Sequence, residues 1–120
     1  MKKISEMNLN AFIANRCLDK TIEAAGEKTN ETSARLARVV LRKTTSHKMK
    51  ARVPLYAFVK NVGSKLAIKV LTTGVTAIVE SSNIFSVSEV KGDFSIGGVT
   101  YGVKDTINGC PRYKAKKSAL

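Results

Sequence analysis

From Arg52 to Val103 the apolar residues recur at every second position, broken only by short clusters of turn-forming residues. Period two places successive side chains on opposite faces of a strand, so this half of the chain reads as β-structure. Val53, Leu55, Ala57 and Val59 line one face of the first strand, and Pro54, Tyr56, Phe58 and Lys60 line the other. Asn61-Val62-Gly63-Ser64 supplies a turn, after which Leu66, Ile68 and Val70 alternate with Lys65, Ala67 and Lys69 as a hairpin partner should. Thr73-Gly74, Ser81-Ser82-Asn83, Lys91-Gly92-Asp93 and Gly97-Gly98 then separate strands over 75–80, 84–90, 94–96 and 99–103. Five or six short antiparallel strands joined by such tight turns are expected to curl into a small barrel.

The preceding residues follow a different spacing. Leu9, Phe12, Ile13, Cys17, Thr21 and Ala24 recur at three- and four-residue steps, which predicts a helix from about 8 to about 25, closed by Gly26. Thr29 or Asn30 is suited to cap a second helix, with Glu31 near the positive end of its dipole and Leu36, Val39 and Val40 as its buried side. The run Thr44-Thr45-Ser46-His47 competes for backbone hydrogen bonds and ends that helix near Lys43. The expected fold class is therefore α+β. Two N-terminal helices (1–45) precede a small antiparallel five- or six-stranded β-barrel (51–105), and a flexible basic tail (106–120) follows. A chain of 120 residues with 43% hydrophobic side chains suits one compact domain of this kind.

Charge is the feature that bears on function. The chain has 21 Lys and Arg against 9 Asp and Glu, a formal net charge of +12. Between Glu31 and Glu80 there is no acidic side chain, yet ten cations fall there: Arg35, Arg38, Arg42, Lys43, Lys48, Lys50, Arg52, Lys60, Lys65 and Lys69. On the expected second helix Arg35, Arg38 and Arg42 would project from one face, and like charges at that spacing repel unless a polyanion neutralises them. Arg35, Arg38, Arg42, Lys43, Lys48, Lys50 and Arg52 are accordingly candidate phosphate contacts, with Lys60, Lys65 and Lys69 extending the field. Tyr56 shares a strand face with Arg52, Phe58 and Lys60 and is a candidate platform for base stacking. A second reading places Tyr56 and Phe58 beneath the helices as core. The basic cluster from Arg112 to Lys117 reads either as a second arm on the same polymer or as a solubilising end.

The layout over Arg52 to Val103 resembles, in architecture and without a shared motif, the SH3-like, KOW-like and OB-like barrels that attach to nucleic acids and to transcription or translation machinery. A small, basic, free-standing domain is also similar in character to the accessory proteins of bacteriophages. These resemblances imply a DNA- or RNA-binding accessory protein with little sequence specificity, acting in transcription or genome handling. Two alternatives stay open. One is an interaction module or inhibitor docking its basic face on an acidic host protein or ribonucleoprotein; the other is a virion component against packaged genome.

Catalytic chemistry is not indicated, and a non-enzymatic protein is expected. His47 is the single histidine and cannot build a two-histidine metal site. Cys17 falls on the expected apolar side of the helix, and Cys110 stands before Pro111 with no acid or histidine beside it to activate a thiolate. The glycines lack the strand–loop–helix setting of a phosphate-cradling loop. No metal and no cofactor are expected. No apolar run approaches the ~20 residues of a membrane span, and Met1-Lys2-Lys3-Ile4-Ser5-Glu6 carries no apolar stretch of a secretion signal, so a soluble cytoplasmic protein is expected, in the host cytoplasm if viral.

Overall fold

The computed structural model describes residues 10–42 and 54–116. Among them one helix, α1 (Ala11–Ala24), precedes two antiparallel sheets. The first contains β1 (Arg35–Leu41), β2 (Pro54–Val62), β3 (Lys65–Val70), β4 (Thr76–Glu80) and β5 (Ile84–Glu89) in the spatial order β4-β3-β2-β1-β5. The second contains β6 (Phe94–Ile96), β7 (Val99–Ile107) and β8 (Cys110–Ala115) in chain order. The period-two reading places β2, β3, β4, β5, β6 and the start of β7 to within a residue or two. The two-residue turn Gly63-Ser64 sets the β2–β3 register by pairing Val62 with Lys65.

The central strands of the five-stranded sheet are buried on both faces, while its edge strands β4 and β5 stay partly exposed. Ala37, Val39, Ala57, Val59, Leu66, Ile68 and Val70 form one cluster, joined by Val79 of β4 and Ile84 of β5. β4 and β5 lie at opposite edges of the sheet, yet only the short 3-10 turn Ser81–Asn83 connects them, so the sheet must curl to bring its edges toward each other. The curl turns this apolar face inward. It stops short of the expected barrel, because no ladder joins β4 to β5 among the described residues.

The other face carries Leu36, Phe58, Val62 and Ala67, which meet α1 and the second sheet in a separate core. Here α1 contributes Ala11, Ala14, Leu18 and Ile22, a stripe one step round the helix from the expected one. Ile13 is exposed, Cys17 is half-buried and Ala24 is exposed, because the small residues at 11 and 14 let the helix lie closer to the sheet. Burying Leu18 and Ile22 is worth about 2 kcal/mol each. The N terminus of α1 is capped by the Asn10 side chain, which accepts from the Phe12 N–H at 2.9 Å. Its C terminus closes with the paired bonds of Gly26 N–H to Glu23 O and Glu27 N–H to Ile22 O, with Gly26 at φ 73° as anticipated. Phe94 stacks on Tyr101 and packs against Tyr56 and Tyr113, tying the two sheets together.

Three other expectations are corrected. The second helix is absent: the residues from Arg35 to Leu41 form β1, a central strand flanked by β2 and β5. A strand covered on both faces reads as a nearly continuous apolar run, and two arginines three apart gave that run a helical look. Thr29 does not cap a helix; its hydroxyl donates to the Asn61 carbonyl at 2.6 Å, while Glu31 accepts from the Asn61 N–H at 2.6 Å, so the loop before β1 is clamped to β2. The C-terminal segment is not a free tail as far as Lys116, since β8 pairs with β7 and Cys110 is buried in the core. No helix among the described residues is long and apolar enough to cross a membrane.

Candidate functional site

The fold sorts the acid-free run of cations by strand end. Because β1, β2 and β3 are antiparallel, the start of β1, the end of β2 and the start of β3 lie together. At that end every described cation of the run meets a carboxylate from outside it. Arg35 donates through Nε to Glu31 Oε1 at 3.0 Å and through its second nitrogen to Oε2 at 3.3 Å. Lys60 is 1% exposed beneath α1, with its ammonium 2.7 Å from Asp19 Oδ1. Lys65 lies 3.0 Å from Glu27 and 3.7 Å from Glu80, and the hydrogen bond and charge of Glu27, with Glu80 behind them, hold its pKa above the ordinary lysine range. Arg35, expected as a phosphate contact, and Lys60 and Lys65, expected to extend the basic field, are thus each paired with a carboxylate. A cleft of about 310 Å³ opens at this end over Leu66, Ile84 and Val87, with Arg35 and Lys65 at its rim.

Away from that end the situation differs. Arg38 is exposed on β1, beside Ser88 of β5 in register. Arg42 follows the strand, with its backbone N–H donating to Asn83 O at 2.8 Å and its guanidinium 5.6 Å from the centre of the Phe85 ring. Lys69, opposite Phe58 on β2 and so one row from the Arg35–Val59 pair, lies in the middle of the sheet and bonds the Gly74 carbonyl at 3.1 Å. No described carboxylate lies within ion-pair distance of Arg38, Arg42 or Lys69. Lys43, Lys48, Lys50 and Arg52, and with them His47, lie outside the described residues, between Arg42 and Pro54 in sequence.

Tyr56 is not placed as a stacking platform. Its ring centre lies 5.5 Å from that of Phe94, and Phe58 is wholly buried against Tyr113, so the second reading of this face as core is the one the geometry follows. The exposed aromatic ring beside Arg42 is Phe85, which no period-two or charge pattern singles out. Val40 pairs with Ser86 but Leu41 pairs with Ile84, so Phe85 is the extra residue of a β-bulge. Bulges re-aim side chains, and this one turns an aromatic residue outward on an edge strand.

Other charges are structural. Arg112 forms a two-pronged pair with Asp105 across β7 and β8, and that hydrogen bond, with its charge, holds the Asp105 carboxyl below the ordinary carboxylate range. Lys116 pairs with Asp93 at 2.6 Å. Among the described residues no group of three or more His, Cys, Asp or Glu converges as a metal site requires. No protein-family model, curated protein or solved structure matches the chain.

Proposed function

We propose that this protein is a non-catalytic nucleic-acid-binding protein that engages the phosphate backbone with little sequence preference. Its contacts are Arg38, Arg42, Lys69 and the four cations of the connection between β1 and β2. One observation carries the reading: within a stretch that contains no acid, Arg35, Lys60 and Lys65 are paired with carboxylates, while no described carboxylate lies within ion-pair distance of Arg38, Arg42 or Lys69. An ordinary surface intersperses the two signs. Charge left uncompensated by carboxylates raises a positive field, and a phosphate backbone relieves it by releasing its own counterions.

The test is binding of a labelled oligonucleotide by anisotropy over a series of salt concentrations. The log–log slope is expected at about −4 to −5 on duplex DNA if roughly five phosphates are engaged. Replacing Arg38 and Arg42 together by Gln reduces the steepness of that slope by about 2 and weakens binding to all sequences alike. Arg35→Gln, by contrast, leaves the slope unchanged, because its guanidinium is already held by Glu31. A wild-type slope near zero, or binding that persists only to a protein after nuclease treatment, refutes the proposal in favour of an acidic protein partner.

A further inference from the structure

We infer that the nucleic acid this surface takes is single-stranded, with Phe85 as the ring on which a base stacks. The inference rests on the nucleic-acid reading above and names its substrate class.

All seven aromatic side chains of the protein lie within the described residues, and Phe85 alone among them is exposed, at 47%. Tyr56, Phe58, Phe94, Tyr101 and Tyr113 are used in the core between the sheets, and Phe12 is half-buried beneath the Arg16 guanidinium. A scattered exposed apolar residue needs no explanation in itself. Phe85 differs in three respects, each of them local. The bulge in β5 is what turns it outward. The adjoining guanidinium belongs to Arg42, whose backbone is fixed by Asn83, so ring and cation are presented together. Finally, the chain enters its four-cation connection directly after Arg42.

A ring beside a phosphate-seeking cation is the pairing that binds unpaired nucleotides, because each base offers a π-face while the backbone follows the charge. In a duplex those faces are already stacked on one another. Duplex binding would use the cations and would gain nothing from Phe85. Ser86 and Ser88 of the same edge strand stand opposite Val40 and Arg38 in register.

The experiment compares a homopyrimidine DNA strand with a duplex of the same length at matched salt, for the wild type, Phe85→Ala and Phe85→Trp. The wild type is expected to prefer the single strand. Phe85→Ala should weaken single-strand binding by about tenfold, with duplex affinity and the salt slope unchanged, and Phe85→Trp should restore or tighten it. Unchanged far-ultraviolet circular dichroism and unfolding midpoint would show that both variants are folded. Equal wild-type affinity for the two forms, or Phe85→Ala weakening both alike or neither, overturns this inference and leaves the phosphate-binding proposal standing. Failure of the wild type to bind either form removes both.

Discussion

Lys60 shows how much a single side chain can depend on a distant partner. Its position in the alternation puts it on the same strand face as Phe58, and α1 then crosses that face and seals it. An ammonium taken out of water is costly unless it is paired, and Asp19 on the helix, 41 residues away in sequence, supplies the partner at 2.7 Å. Asp19 remains half exposed, which keeps its own desolvation small. Removing the acid while keeping the lysine is therefore the damaging change. Asp19→Asn is expected to cost about 1–3 kcal/mol in urea unfolding, and Lys60→Met, which fills the same space without a charge, is expected to cost less. The reverse order would mean that the pair is hydrated in solution. Nothing in the sequence around Lys60 distinguishes it from Lys65 or Lys69. The covering helix alone does so.

At the level of elements, the strands from β2 to β6 were legible because their two faces differ in polarity or their turns are sharply marked. β1 was not legible: its residues are covered on both faces, so the alternation that marks a strand is missing. β8 was legible and was overlooked. Ile107-Asn108-Gly109-Cys110 is an Asn-Gly pair between apolar residues, the strongest short hairpin signal, and the structure closes β7 onto β8 there by pairing Ile107 with Cys110. Both turn residues have positive φ, 51° at Asn108 and 82° at Gly109. A Cβ at Gly109 would meet nothing closer than 3.6 Å, so the penalty for Gly109→Ala is one of backbone conformation, not of crowding. That substitution should destabilise the protein by about 1–2 kcal/mol, read as a lower urea midpoint with an unchanged m-value.

On the scale of the whole molecule, two cores share one sheet. The inner core forms where the sheet curls on itself, and the outer one forms where α1 and the second sheet cover its back. The segment 106–116 belongs to the outer core: Cys110 is buried, Tyr113 packs on Phe58 and Phe94, and Arg112 reaches both Asp105 and, through an isolated bridge, Asn10. A chain ending at Asp105 should lose more than about 10 °C of Tm by circular dichroism, since deleting a buried aromatic side chain alone typically costs several kcal/mol. An unchanged Tm would return that segment to the status of a tail. The sequence by itself determined the strand-rich second half, most of its turns, the helix and its glycine stop, and the clearing of acids between Glu31 and Glu80, because each of these is written in spacing and residue type over a few positions. Only the tertiary structure decided that Arg35, Lys60 and Lys65 are paired with carboxylates while no described carboxylate pairs with Arg38 or Arg42, and that Phe85 and not Tyr56 is exposed. Whether a charge finds a counter-charge, or a ring finds a cover, depends on which remote element is folded across it, and no local pattern records that.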